Sequence, residues 1–145
     1  MNLILKKVNL ILKKEKYLIN KFKSFSSLEE RYLFLINHGK KLLLMNKKNL
    51  IDKNLIEDCQ SKLWIKINLN KKKLIIKIFT TALFPKGIVF LIKYIYSNSS
   101  LKEIKNYNHN FYKHLNLKYF FSQLRNNGLL FIINKIIFFN SKFLK

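Results

Sequence analysis

Residues 63–80 read LWIKINLNKKKLIIKIFT, and the fold follows from how that stretch alternates. Leu63, Ile65, Ile67 and Leu69 fall on one side of an extended chain, with Trp64, Lys66, Asn68 and Asn70 on the other. Successive side chains of a strand point to opposite faces, so this is the pattern of a half-buried strand. Leu74, Ile76 and Ile78 repeat it after Asn70–Lys73, which makes the pair a hairpin. Its apolar face needs a second layer, and the flanking sequence supplies helices. The resulting order is helices, sheet, helices. That is an α+β fold: a small antiparallel sheet of about three strands packed against a layer of helices.

Upstream of the hairpin, residues 42–58 read as irregular, with Asn46, Asn49, Asp52 and Asn54 as turn formers. Before them a helix starts at Ser27. Ser27 and Glu30 make a Ser-x-x-Glu capping box, Leu28, Tyr32, Leu35 and Ile36 form the apolar stripe, and Gly39 marks the end. The first residues hold a repeat, Asn2-Leu-Ile-Leu-Lys-Lys and Asn9-Leu-Ile-Leu-Lys-Lys. Its period of seven puts both apolar triplets on one helical face. A basic amphipathic helix of this kind over residues 1–24 suits a membrane surface or a partner, but packing on the domain is the more ordinary use. Downstream, Thr80–Tyr96 reads as a buried helix, with Pro85 tolerable in its first turn. Ser100 and Glu103 form a second capping box, and Ser122 can cap a final helix through Gly128 to Phe139.

The chain has 145 residues, one domain's worth, and its three Gly and one Pro leave little for linkers. We therefore read 1–145 as a single domain. Lys and Arg together number 29 against seven acids, for a formal charge of +22. Clustered cations would suit nucleic acid, because phosphates reward them through counterion release. Here Arg31 and Arg125 are the only arginines, and the lysines are spread along the chain with abundant Asn, Ile, Leu and Phe. Those residue types share AT-rich codons, so compositional drift accounts for the charge without a nucleic-acid partner. One cysteine excludes an internal disulfide and fits a reducing compartment. No cleavable leader or convincing membrane span is evident, since Leu129–Phe139 is short and broken by Lys135. The expectation is a cytoplasmic protein that does not engage a membrane.

The reactive inventory is small. His38, His109 and His114 show no metal-ligand spacing, and no metal is expected. There is no Gly-rich phosphate loop, Gly-x-Ser-x-Gly or Cys-x-x-Cys. Cys59 is the strong nucleophile on offer. A lone cysteine is more often a small buried hydrophobe than a working thiol. Yet Cys59 stands at a loop-to-strand junction among Glu57, Asp58, Gln60 and Ser61, close to the single tryptophan, Trp64. On the residues alone the two readings are evenly matched.

Residues 54–65, NLIEDCQSKLWI, resemble the signature of the SufE family, sulfur acceptors for cysteine desulfurases in iron–sulfur cluster assembly. That signature runs Asn-x-Val/Ile-x-Gly-Cys-x-Ser-x-Val-Trp. Residues 29–42, EERYLFLINHGKKL, look like the family's first conserved helix. Lys86-Gly87 falls at its Lys/Arg-Gly pair, and Arg125-Asn-Asn-Gly128 at the Arg-x-x-Gly of its last helix. The resemblance covers residues 27–140. Three departures stand out: Asp58 replaces the usual Gly, Phe79-Thr80-Thr81-Ala82 replaces an acidic segment, and Lys113 stands where Glu is frequent.

The resemblance implies a SufE/NifU-like fold and a carrier function. Cys59 would take persulfide sulfur from a SufS-type desulfurase, stimulate that enzyme, and pass the sulfur to a SufBCD-type scaffold complex. Pyridoxal phosphate would belong to the desulfurase, with no cofactor in this chain, which would be a monomer or weak dimer and not a stand-alone enzyme. Asp58, Gln60 and Ser61 would set the loop, Trp64 would anchor the strand behind it, and Arg125 would contact partner or loop. A paralogue serving another desulfurase, a degenerate relative without activity and a basic nucleic-acid-binding module are the alternatives. Glu57 and Asp58 should hold the Cys59 thiol at or above its ordinary ~8.5.

Overall fold

The computed structural model describes residues 10–41, 49–56, 62–80, 83–115 and 127–144. At its centre is the hairpin. Strands β2 (Leu63–Asn70) and β3 (Lys73–Thr80) pair antiparallel along their whole length, Leu63 opposite Thr80 and Asn70 opposite Lys73. Lys71 and Lys72 make the turn with positive φ angles of 51° and 64°. Two consecutive left-handed residues give the tight turn whose twist matches the strands. Lysine there costs about 1–2 kcal/mol per residue against a right-handed conformation, and the ladder on both sides overrides it.

A third strand, β1 (Leu55–Ile56), pairs with the start of β2, so the sheet order is β1-β2-β3. This corrects the irregular reading of residues 42–58. A 3-10 turn at Asp52–Asn54 leads into β1, and two residues are too few to show alternation. Residues 42–48, 57 and 58 lie outside the described residues.

Five helices are described: α1 (Leu10–Lys23), α2 (Leu28–Lys40), α3 (Leu83–Tyr96), α4 (Leu101–Asn106) and α5 (Asn127–Phe143). Thr80 belongs to β3 and not to α3, because the alternation of Leu74, Ile76 and Ile78 continues to it. All four are buried, and the Thr80 hydroxyl donates to the Lys62 carbonyl at 2.9 Å. Pro85 is the third residue of α3, where its missing N–H costs nothing. Further along, α3 is core on several sides, with Ile88, Val89, Leu91, Ile92 and Ile95 all buried. Gly87 permits its close contact with α2, for a Cβ there would stand 2.9 Å from the Leu35 Cβ.

In its described part α1 packs on the domain, burying Ile11, Leu18 and Phe22 while Leu12 and Tyr17 face outward. The first copy of the repeat, within residues 1–9, lies outside the described residues. Of the two expected capping boxes, that at α4 is complete. At α2 the Ser27 hydroxyl accepts from the Glu30 amide, but the Glu30 carboxylate accepts instead from the Ser26 amide at 2.7 Å. Ser122 lies outside the described residues, and α5 extends past Phe139. Asn140 explains the extension: it is buried and donates to the Leu101 carbonyl at 3.0 Å, tying α5 to the start of α4. Among the described residues no helix is long and apolar enough to cross a membrane.

Candidate functional site

Cys59, Asp58, Gln60, Ser61 and Arg125 lie outside the described residues; the frame that holds the Cys59 segment is described. Ile56 closes β1 directly opposite Leu63, the first residue of β2, so the segment bearing Cys59 connects two paired antiparallel strands. Its downstream end is tied to the sheet by the bond from Thr80 to the Lys62 carbonyl. The apolar residue beside that tie, Leu63, is buried and opposes Thr80. Both ends of the segment are thus fixed to one end of the sheet.

Trp64 is half-buried on the other face of β2. Its ring stacks on that of Phe79, its cross-strand partner, with centroids 6.0 Å apart and planes at 30°. Such aromatic pairs contribute about 0.5–1.5 kcal/mol beyond the area they bury. Trp64 thus packs across the hairpin on Phe79 while Thr80 ties Lys62, and neither Phe79 nor Thr80 was assigned to the site from the sequence. The signal was available: a turn centred on Lys71–Lys72 places Phe79 opposite Trp64 and Thr80 opposite Leu63.

Two of the three histidines, His38 and His109, are engaged elsewhere in the fold. His38 Nδ1 lies 2.9 Å from the Phe34 carbonyl, one turn back on α2, and its ring packs on Phe34 and Phe90. His109 Nδ1 lies 2.7 Å from the Tyr96 hydroxyl, and the two rings stack. Burial pushes His109 below its ordinary range, while a hydrogen bond to the Ile104 backbone pulls weakly the other way. The neutral ring then shares a hydrogen bond with the Tyr96 hydroxyl through Nδ1. Burial, and after it the nearby Glu15 carboxylate, also push the Tyr96 and Tyr107 hydroxyls far up, so both keep their protons at neutral pH. His114 is exposed on the 3-10 turn Phe111–His114, beside exposed Lys113. Among the described residues no three His, Cys, Asp or Glu side chains cluster as a metal site would require.

A second polar cluster joins the N-terminal helix to the rest. Glu103 is buried and accepts from two backbone amides, Ser100 at 2.9 Å and Leu10 at 2.6 Å. Beside it Lys14 donates to the Ser97 carbonyl at 2.7 Å. Burial lowers the Lys14 ammonium from its ordinary range, and the Glu103 charge partly offsets that.

The SufE family model, described as an Fe-S metabolism associated domain, matches residues 16–138 of this chain. The chain belongs to the SufE family. Its match begins within α1 and spans the sheet, the Cys59 segment and most of α5. Among named relatives, the cysteine desulfuration protein SufE of Wigglesworthia glossinidia brevipalpis is 33% identical over 105 residues, covering 72% of this chain and 67% of that protein. The cysteine desulfuration protein SufE of Plasmodium falciparum is 34% identical over 112 residues, 74% of this chain but 45% of that longer one. A solution structure of a hypothetical protein from Thermus thermophilus superposes with a TM-score of 0.73 at 20% identity. It covers 89% of this chain and 94% of that one, and its likeness establishes the shared fold.

Proposed function

We propose that this SufE-family chain is a sulfur acceptor and carrier in iron–sulfur metabolism, with Cys59 as the accepting thiol. The observation that carries the reading is the place of the single cysteine. It falls in the segment whose two ends are pinned by the Ile56–Leu63 pairing and the Thr80–Lys62 bond, in a chain whose relatives are named cysteine desulfuration proteins. A thiol presented from a fixed frame can enter a partner's site without unfolding the sheet behind it.

The reaction is a sulfur transfer with no net oxidation. The Cys59 thiolate attacks the outer sulfur of a persulfide on a SufS-type desulfurase. The bond between that sulfur and the desulfurase cysteine breaks, and the cysteine leaves as a thiolate. Cys59 then carries the persulfide and delivers its outer sulfur to a SufBCD-type scaffold by the same exchange. Relieving the desulfurase of its persulfide stimulates its turnover. The pyridoxal phosphate chemistry stays in the desulfurase, and the transfer asks only for a thiol here. A reducing cytoplasm would keep that thiol free. Gln60 and Ser61 would position the segment, and Arg125 would meet the partner.

Intact-mass measurement after incubation with a SufS-type desulfurase and cysteine tests the reading. The chain should gain one or more sulfur atoms, removable by reductant. Cys59→Ser should gain none and leave desulfurase turnover at its basal rate while folding normally. A Cys59→Ser variant that accelerates the desulfurase as fully as wild type would overturn the carrier role.

A further inference from the structure

The sheet has an edge that the carrier function does not use. β1 covers only Leu63 and Trp64 of β2. Upstream the chain at Asp52–Asn54 is a 3-10 turn and not a strand, and Asn49 meets β2 through its side chain, which accepts from the Lys66 ammonium at 3.0 Å, so from Ile65 to Asn70 that side of β2 has no strand partner among the described residues. In an antiparallel strand alternate residues aim N–H and C=O away from the neighbour already paired. An edge of this kind is a template for another strand unless something blunts it.

A groove of about 640 Å³ runs along this edge. Ile65–Asn68 form its floor, Lys53 and Asn54 one wall, and α5 the other. The α5 wall alternates aromatic and cationic residues, Phe131, Lys135, Phe138 and Lys142, at spacings of three and four that share one helix face. Phe131 is 41% exposed and Phe138 63%, and the Lys142 ammonium lies 4.7 Å from the Phe138 ring centre. Lys53 and Lys66 bring the lysines to four, and no carboxylate is among the described lining residues.

We propose that this groove docks an acidic, extended segment of another protein, added as a strand to the open edge of β2. Strand addition satisfies the peptide groups that have no strand partner among the described residues, and pockets for alternate side chains select the sequence. Phe131 and Phe138 would cover apolar side chains of the guest, and the four lysines would pair with its carboxylates. Single-stranded nucleic acid would also meet cations and aromatic rings here, but it would leave the strand's peptide groups without partners. A second copy of this chain brings a charge of +22 toward the same sign, so charge complementarity points to an acidic stranger.

Fluorescence anisotropy with a short labelled peptide of alternating valine and glutamate tests this on the full chain. The peptide should bind wild type, and Lys135→Glu with Lys142→Glu should weaken it about tenfold or more. The same peptide methylated on alternate backbone nitrogens keeps its charge but cannot pair as a strand, and should also bind about tenfold more weakly. That comparison uses unaltered protein, so it does not depend on a variant folding. Failure of the peptide to bind overturns the proposal. So does equal affinity of the methylated peptide, which means charge alone, or of the double variant. Tighter binding of an oligothymidylate than of the peptide would make the groove a nucleic-acid site instead.

Discussion

Glu103→Gln isolates what one buried carboxylate does for two helices. In the folded chain its oxygens accept from the Ser100 amide at the start of α4 and from the Leu10 amide at the start of α1. It also faces the half-buried Lys14 ammonium. Glutamine keeps the shape but offers one oxygen and one amide nitrogen, so one of the two backbone donors must face another donor. Losing a hydrogen bond to a charged acceptor at a buried site costs about 1.5–3 kcal/mol. The lost compensation for Lys14 adds to this, and the expected total is about 2–3 kcal/mol. For a chain of this size each kcal/mol moves the melting temperature by about 2–4 °C, which predicts a fall of about 5–10 °C in a thermal melt followed by circular dichroism. Glu30→Gln is the control. Glu30 also accepts from a backbone amide near a helix start, but it is exposed, so water replaces what is lost and the cost should stay within about 0.5 kcal/mol. Equal losses in the two variants, or a Glu103→Gln melt within about 2 °C of wild type, would refute the argument that burial and the bridge to α1 set the energy.

Gly87→Ala should destabilise by about 1 kcal/mol, since overpacking against Leu35 costs about 1–3 kcal/mol and better helix propensity returns about 1; a variant more stable than wild type in urea would mean that α2 and α3 separate easily. His109 sits below its ordinary range when folded, so below about pH 6.5 the unfolded chain binds the extra proton. Its contribution to stability is therefore complete above about 6.5 and lost as pH falls through the folded value. His109→Gln should flatten the acid-side decline in melting temperature, and an unchanged decline would place the titrating group elsewhere. Cys59 beside Glu57 and Asp58 should alkylate slowly at neutral pH in the free protein, faster in Asp58→Gly and faster with the desulfurase bound. A thiol that already titrates well below neutral in the free chain would show that the surrounding lysines dominate.

Residues 63–80 settled the strand pair without help from the rest of the chain, because alternation and turn length are local and a one-residue slip would expose every core side chain. Both capping serines were legible for the same reason, and so was the Cys59 segment, whose residue types stand in a recognisable order. Long-range choices were not legible. β1 is a strand because β2 offers it an edge, not because Leu55 and Ile56 alternate. Glu30 turns to Ser26 where Glu103 completes its box, and nothing nearby in sequence decides between them. Glu103 reaches Leu10 across 93 positions, and the Phe and Lys stripe of α5 becomes a groove wall only when it stands beside β2. The sequence by itself determined the periodic elements and the place of the single cysteine in a recognisable motif, since those depend on neighbours along the chain. Which carboxylate is buried, which edge of β2 lacks a strand partner among the described residues and what ties the two ends of the Cys59 segment were decided by tertiary structure. Each depends on surfaces that meet only after the helices have packed on the sheet.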